Sequence, residues 1–391
     1  MAPRILVAAE GLHAARCLAA VRTAGGVAVL ACAPTQRSTS WAAQADTLIV
    51  LPTGLRDAQA LVDAAIAESC VLIHPGSTRL LGDPLLRQAA ATAKIGIVGA
   101  PQAALDLARP RHRLREICAD LGIPCDPTRT PSTRRIAITL AGRNGAMSLL
   151  GDRDITICRG DQVILAEAPA AEVPLLLRIE CYGAAQRLTG AIAASGLVEV
   201  HFHVDAEAGA FALADIGWAA SEDLDALSQA LGHDLHAWIL RLALGDDPPW
   251  DVAPLRATGV GLALRLSLAG NAPRSGRCTG LSLPKDAIHA VDRGDELLTT
   301  GTSLALLVQR GDDRGEAYLD LLDVLRQAHI HGVTTDRGRL HALLGCEAVR
   351  LARFAPALAS LPPGDLPVIE VLEPGLQTTV QNLPGRTGSW A

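Results

Sequence analysis

Apolar runs alternate with segments of helical periodicity over residues 1–100. The runs predict buried strands at residues 5–9, 27–31, 47–51, 71–73 and 95–98. Apolar positions at helical spacing predict helices at residues 12–21, 58–67 and 85–93. Strands that alternate with helices of this length form a right-handed parallel α/β layer. We therefore predict such a layer over residues 1–110.

After Pro124 the pattern changes to strands joined by short turns. Strands predicted at residues 136–140 and 146–150 flank Asn144 and Gly145, a pair typical of a hairpin turn. Strands are also predicted at residues 197–204 and 210–216, after a long helix at residues 170–194. The candidate core residues of that helix are Val173, Leu176, Leu177, Ile179, Leu188 and Ile192. An antiparallel sheet with helices is therefore expected over residues 125–250.

Pro248 and Pro249 predict a linker before a third region. In this region strands are predicted at residues 261–268, 277–283, 286–291 and 303–309, and a helix at residues 315–327. Residues 363–391 have two interpretations. They form either a disordered tail or, because of the apolar run near Val368, a segment with at least one strand.

Composition narrows the class of protein. The chain has 391 residues, enough for two or three domains with their own cores. It is 49% hydrophobic but only 3% aromatic, so the cores must consist of Ala, Leu, Val and Ile. The net charge is −6 and no basic stretch stands out, which argues against a nucleic-acid partner.

The cysteines and the apolar runs indicate the cellular compartment. None of the nine cysteines forms a Cys-x-x-Cys pair, which argues against zinc ribbons and redox dithiols. The first apolar run is too short for a secretory signal. No run approaches the length of a transmembrane helix. We expect a cytoplasmic chain with reduced thiols and no membrane partner.

Two features bear on chemistry. Among 35 basic residues only Lys94 and Lys285 are lysine, and arginine does not replace lysine where a site needs a compact ammonium. His201 and His203 alternate on one predicted strand, a spacing found in metal sites. Because no third ligand has a clear spacing, we interpret them as hydrogen-bonded or exposed histidines.

The segment 151–169, GDRDITICRGDQVILAEAP, resembles a segment of the biotin carboxylases, a branch of the ATP-grasp ligases. The positions that fit are Asp152, Arg153, Asp154, Arg159, Gln162, Glu167 and Pro169. The catalytic lysine of the family is replaced by Val163. The resemblance implies an α/β biotin-carboxylase fold: a parallel N-terminal layer, an ATP-grasp core and a carboxylase C-terminal domain.

Other motifs extend the resemblance toward the N-terminus. His74, Pro75 and Gly76 match a His-Pro-Gly loop of the family, and Arg111 falls where the family has a phosphate-binding lysine. The resemblance implies cofactor-binding roles for His74, Gly76 and Arg111. The alternatives are a turn in which His74 is a local hydrogen-bonding partner, and a solvated start of a helix at Arg111.

The resemblance also implies a metal and a catalytic set. The two family carboxylates that hold the metal of ATP correspond to Glu199 and Asp215. The alternative is that they are relics at the edge of a pocket. Arg265 lies on the strand whose arginine contacts bicarbonate and biotin, and Arg159 is one of the paired arginines, so both are predicted to be catalytic. We expect Arg111, Glu199, Asp215 and Arg265 to line one cleft.

Several parts of the family pattern are missing. No glycine-rich phosphate loop occurs in residues 122–150, and no lysine lies between Lys94 and Lys285, so the ATP-grasp lid is absent. The run that orients bicarbonate and supplies the base is missing after Gly217. Glu222 is a candidate replacement for the base. We favour instead a helix capped by Ser221 with acidic residues in its first turn.

The C-terminal motifs point to the urea carboxylase type. Residues 331–336 match a motif near the end of the carboxylase module, and residues 368–391 resemble the join to the carboxyltransferase. We predict an N-terminal domain at 1–110, a truncated ATP-grasp domain at 111–250 and a C-terminal domain at 255–362. Residues 363–391 are predicted to be a tail that resembles the start of a carboxyltransferase domain.

These observations lead to one hypothesis and two alternatives. The hypothesis is a degenerate biotin-carboxylase module, a binding or assembly component with little or no ATP-dependent carboxylation. The alternatives are an active ligase of urea or a related small amide, and a fragment of a longer urea carboxylase. The family cofactors are ATP, magnesium and biotin. The expected partners are a second copy of the chain, a carboxyltransferase or a biotin carrier.

Overall fold

The computed structural model describes residues 2–125, 133–160, 162–218, 221–246, 255–269, 276–285, 287–297, 303–355, 358, 367–373 and 376–381. The N-terminal region contains β1 (Arg4–Ala8), α1 (Gly11–Thr23), β2 (Val27–Cys32), β3 (Thr47–Val50), α2 (Ala58–Ala67), β4 (Leu72–Pro75), α3 (Thr78–Leu81), α4 (Pro84–Thr92), β5 (Gly96–Ile97), α5 (Gln102–Ala108) and α6 (Arg111–Asp120).

The first five strands form a parallel sheet in the order β3-β2-β1-β4-β5. Successive residues of β1 point into different cores: Ile5 and Val7 belong to one cluster, and Leu6 belongs to another. Both faces are therefore covered, as is usual for parallel sheets, and this explains the continuous apolar runs. The predicted parallel α/β layer is confirmed.

The rest of the chain contains a second, larger sheet. Its elements and those around it are β6 (Arg134–Arg143), β7 (Ala146–Arg159), β8 (Gln162–Ala168), α7 (Leu175–Ala191), β9 (Gly196–Asp205), β10 (Ala210–Gly217), α8 (Leu224–Leu231), α9 (Leu235–Leu244), β11 (Val260–Ser267), β12 (Gly276–Arg277), β13 (Gly280–Ser282), β14 (Ile288–His289), β15 (Glu296–Leu297), β16 (Ser303–Gly311), α10 (Arg314–Gln327), β17 (His329–His331), α11 (Arg337–Gly345), α12 (Glu347–Arg350), β18 (Pro367–Glu373) and β19 (Leu376–Gln381).

Eight antiparallel strands make up this sheet, in the order β10-β9-β6-β7-β8-β11-β16-β14. β11 pairs with β8, so the sheet continues across the boundary predicted near residue 250. The predicted antiparallel sheet is confirmed. The division into three domains and a tail stays a prediction.

The hairpin predicted at Asn144 and Gly145 joins β6 to β7. Both residues have positive φ, 53° and 83°, as a tight hairpin turn with the right-handed twist requires. β7 runs on to Arg159, well past its predicted end at residue 150. It then turns into β8, so the segment 151–169 forms most of a second hairpin.

The long helix predicted at residues 170–194 is shorter, because α7 begins at Leu175 after Pro174. Glu172 has a φ of 56°, which a right-handed helix does not allow. Leu176 and Ile179, predicted to be core residues, are 77% and 54% exposed. Apolar residue type alone therefore misassigned one face of this helix.

The described chain has two further features. Every cysteine lies within the described ranges, and all nine are free thiols. Among the helices that can be described, none combines the length and apolar character that a membrane span requires. The run near Val368 forms the strand β18, paired with β19, as predicted; residues 382–391 lie outside the described residues.

Candidate functional site

A cavity of about 660 Å³ opens where the start of α1 meets β8, β11 and the loop before α8. α1 brings the two layers of the molecule together here, because its residues share a core with those of α8, α9 and β11. The polar lining residues are Glu10, His13, Gln36, Thr39, Gln162, Ser221, Glu222, Asp223, Arg265 and Ser303. We call this space the Arg265 cavity.

Arg265 is fixed from three sides. Its Nε donates to the carbonyl oxygen of Val163 at 2.9 Å, and its Nη1 donates to Ser303 Oγ at 3.0 Å. Its Nη2 donates to Glu222 Oε2 at 3.1 Å. The guanidinium group is thus held in one orientation at the cavity wall. The side chain at position 163 is apolar, so it brings no charge to the cavity.

Glu222 lies between two cationic partners. Its Oε1 is 3.8 Å from His13 Nδ1, and its other oxygen, Oε2, accepts from Arg265. Burial alone would raise the pKa of Glu222, but Arg265 and His13 lower it below its usual value. Our preference for a helix capped by Ser221 was wrong: α8 begins at Leu224, and no side chain caps it. Glu222 is a carboxylate of the cavity.

Behind this cavity, a buried network surrounds Arg153. Its side chain is fully buried; Nη2 donates to Glu199 Oε1 at 2.8 Å and to Asp223 Oδ2 at 3.1 Å. Burial would raise the pKa of Asp223, but Arg153 lowers it below the usual value. Glu199 is therefore a buried carboxylate with an arginine partner. The sequence contained Arg153 only as a motif match and carried no sign of this contact.

Asp215 and Arg111 lie elsewhere. Asp215 is exposed on the edge strand β10, and both residues line a separate cavity of about 330 Å³. The prediction that Arg111, Glu199, Asp215 and Arg265 line one cleft is therefore wrong. The register between β9 and β10 explains why Glu199 and Asp215 are apart. Glu199 pairs with Gly217, whereas Asp215 pairs with His201, farther along the edge.

Two other predicted site residues make contacts outside the Arg265 cavity. Arg159, at the end of β7, donates to Asp336 Oδ2 at 3.3 Å, and Asp336 Oδ1 accepts from the backbone of Ser267 at 2.8 Å. Gly76 lies against β1; a Cβ there would stand 2.3 Å from the Cβ of Ala9. These contacts show structural roles, and the predicted catalytic and cofactor-binding roles stay predictions.

The histidines also have defined partners. His74 is buried and contacts Cys17 of α1, so its partner is distant in sequence rather than local in a turn. His201 Nδ1 lies 3.1 Å from an Arg135 nitrogen. In the described part of the chain, His201 and His203 belong to no group of three metal ligands.

Comparisons with known proteins show what this chain is similar to. The sequence family described as "Biotin carboxylase, N-terminal domain" matches residues 1–105. Urea amidolyase of Lachancea kluyveri is 26% identical over 272 residues, which cover 66% of this chain and 15% of that protein. The mitochondrial methylcrotonoyl-CoA carboxylase subunit alpha of Arabidopsis thaliana is 26% identical over 221 residues, 54% of this chain and 30% of that protein.

Solved structures show the same fold. The Kluyveromyces lactis urea carboxylase superposes with a TM-score of 0.86 at 24% identity, covering 99% of this chain and 35% of that chain. The biotin carboxylase domain of a thermophilic 2-oxoglutarate carboxylase superposes with a TM-score of 0.85 at 17% identity, covering 92% of this chain and 98% of that chain. This chain spans about a seventh of the urea amidolyases that it matches. Residues 1–105 therefore match a biotin carboxylase N-terminal domain, and the chain has the fold of the biotin carboxylase modules.

Proposed function

We propose that this chain is a degenerate biotin-carboxylase module that serves as a binding or assembly component with little or no ATP-dependent carboxylation. The observation that carries the proposal is the state of Glu199. This carboxylate, which corresponds to a metal ligand of the family, is buried and bonded to Arg153 at 2.8 Å. A carboxylate neutralised by an arginine is a poor ligand for Mg²⁺, which prefers free carboxylates together with substrate phosphates and water.

The residues of the described chain do not fit ATP and magnesium. Phosphoryl transfer depends on cations that neutralise charge developing on the phosphates. At position 163, where the family has a catalytic lysine, a valine side chain lines the cavity. Only residues 121–133 separate α6 from β6, too few for a closing domain. We therefore derive no step through ATP.

One observation supports the alternative of an active ligase. Arg265 and Glu222 stand together at 3.1 Å in the wall of an open cavity, a cation beside a potential base. This pair suits a small polar ligand, and biotin or bicarbonate are the ligands that the family resemblance implies. The pair alone does not supply the groups that activate such a ligand.

Partners follow from the length comparison. Because this chain spans 15% of the urea amidolyases, functions of their other parts require another chain or a longer form of this one. We propose that it works with a carboxyltransferase, a biotin carrier or a second copy of itself. A cytoplasmic location, which we infer from the nine free cysteines, stays a prediction.

Calorimetric titration with ATP and Mg²⁺ tests the proposal. We expect no saturable binding heat for the intact chain, and the same result for Glu199→Gln. Saturable, magnesium-dependent binding that Glu199→Gln weakens would contradict the proposal and favour the ligase. Binding that only Arg111→Ala weakens would assign a phosphate contact to the cavity around Arg111, since such contacts are charge-assisted. It would thereby also contradict the proposal.

A further inference from the structure

Three potential metal ligands, His13, Cys17 and His74, meet next to the Arg265 cavity, which His13 lines. Cys17 Sγ lies 3.6 Å from His13 Nε2 and 3.7 Å from His74 Nδ1. One donor atom from each residue lies within 4.8 Å of the others. His13 and Cys17 are four residues apart on α1, so they share one face of the helix. His74 belongs to β4, which pairs with β1 just before α1.

These separations match a metal site. Zinc binds thiolate sulfur at about 2.3 Å and imidazole nitrogen at about 2.0–2.1 Å. At a tetrahedral angle, these bond lengths place sulfur about 3.5 Å from each nitrogen. The observed distances of 3.6 and 3.7 Å from sulfur to the two imidazoles are close to this separation.

The ligand types select the class of metal. A thiolate with two imidazoles suits borderline-soft ions, whereas Mg²⁺ and Ca²⁺ prefer oxygen ligands. The cluster contains no oxygen ligand, and Cys17 and His74 are 1% and 7% exposed. Such a buried set of nitrogen and sulfur ligands excludes the hard cations that ATP would bring.

The surroundings resemble an outer shell of a metal site. His13 directs Nε2 at Cys17 and Nδ1 toward Glu222, 3.8 Å away. Histidine ligands of zinc commonly have a carboxylate on their second nitrogen, which orients the ring and fixes its tautomer. Glu222 is in turn bonded to Arg265, so the cluster is linked to the cavity wall.

The ligand chemistry defines the binding step. Zinc takes a thiolate and two neutral imidazoles, so binding forms one bond to sulfur and two to nitrogen. Any proton held by these three ligand atoms leaves to solvent when the ion binds.

We propose that His13, Cys17 and His74 form a zinc site with three protein ligands and a fourth position on the side of the Arg265 cavity. His13 lines that cavity, while Cys17 and His74 lie behind it. Three protein ligands with one open position are typical of zinc sites that bind water or a small ligand. This proposal is independent of whether the chain binds nucleotide.

Cobalt substitution tests the proposal on the intact, chelator-treated chain. Added Co²⁺ should give intense visible bands of a tetrahedral ion and an ultraviolet sulfur-to-cobalt band, saturating near one ion per chain. Zn²⁺ should displace it, and zinc binding to the metal-free chain should release protons to solvent. Weak bands of a six-coordinate ion, or no sulfur band, would overturn the proposal and leave a hydrogen-bonded cluster without metal.

Variants make the assignment specific. Cys17→Ser should abolish the sulfur band and weaken zinc binding by at least about 100-fold, the upper end of what loss of an outer-shell partner costs. His13→Gln is a milder test if Cys17→Ser does not fold, because His13 lies at the cavity. Glu222→Gln should weaken binding about tenfold.

The matched control is Cys70→Ser. Cys70 is buried in the same N-terminal region, but burial raises the pKa of its thiol to about 11. Unchanged zinc affinity in this control, with loss in Cys17→Ser and His13→Gln, is the expected result. Equal affinity in all variants would mean adventitious metal binding and would overturn the proposal.

Discussion

At the scale of single residues, the buried guanidinium group of Arg153 decides how the site is charged. It is fully buried and serves two carboxylates, Glu199 and Asp223, at 2.8 and 3.1 Å. Removing one partner of a buried ion pair leaves an uncompensated charge, which commonly costs about 3–5 kcal/mol. Arg153 therefore keeps the Glu199 carboxylate paired, and the proposed function rests on that pairing.

We predict that Arg153→Met lowers the free energy of unfolding by about 3–5 kcal/mol, measured by urea denaturation. The control is Arg22→Met, whose ion pair with Asp46 has side chains 43% and 39% exposed. Exposed pairs contribute about 0–1 kcal/mol, so this variant should change little. Equal effects of the two substitutions would show that the Arg153 network does not stabilise the fold.

A second residue predicts the response to acid. His236 is 2% exposed, and burial is the largest cause that lowers its pKa well below 6.5, together with several positive neighbours. The carboxylate of Asp225 is 3.9 Å away but is already bonded to Arg16. The unfolded chain takes up a proton at His236 below about pH 6.5 and the folded chain does not, so the free energy of unfolding decreases as the solution becomes more acidic.

We expect the free energy of unfolding to fall between pH 7 and pH 5, with His236 contributing up to about 1.4 kcal/mol per pH unit. His236→Gln should flatten the curve over this range, while His112→Gln, at an exposed position of α6, should not. Urea denaturation at several pH values measures both slopes. Identical slopes for His236→Gln and the unsubstituted chain would contradict the assignment.

At the scale of elements, local sequence signals were reliable where the structure needs a backbone conformation that few residue types adopt. Asn144 and Gly145 predicted the β6–β7 hairpin because few residues accept positive φ. α7 was misassigned at its start, because an apolar pattern does not reveal that Glu172 and Pro174 delay the helix. Its exposed Leu176 shows that apolar type and burial are separate properties.

We predict that Gly145→Ala destabilises the chain by about 1–3 kcal/mol. The φ of Gly145 is 83°, and a Cβ there would stand 3.0 Å from the carbonyl oxygen of Gly190. In Gly338→Ala the new methyl group would meet nothing within 4 Å, and the residue lies in α11. Alanine should stabilise that helix by about 0.5–1 kcal/mol. Thermal unfolding compares the two; a shift of the same sign in both would contradict this account of the turn.

At the scale of the whole molecule, the predicted α/β biotin-carboxylase fold is confirmed by the two sheets and by the structural comparisons. The site was harder to predict. Motif positions locate Glu199, Asp215 and Arg265 on their strands, but strand register decides which side chains meet. The contacts of Arg153 with Glu199 and of Cys17 with His74 join residues far apart in sequence, and no local pattern encodes them.

Catalysis by the chemistry of the family requires electrostatic groups from several parts of the molecule. Loss of one preorganised electrostatic group commonly lowers a rate by about 10²–10³. We propose that this chain supplies too few such groups: Val163 falls where the family resemblance implies a lysine, residues 121–133 are too few for a lid, and Glu199 is bonded to Arg153. These losses are not additive, but together they should leave little activity.

Bicarbonate-dependent ATP hydrolysis in the presence of free biotin measures this directly. We predict a rate at background for the intact chain, unchanged by Glu199→Gln. A rate within about tenfold of the 1–10³ s⁻¹ typical of enzymes, abolished by Glu199→Gln, would contradict the account and establish an active ligase.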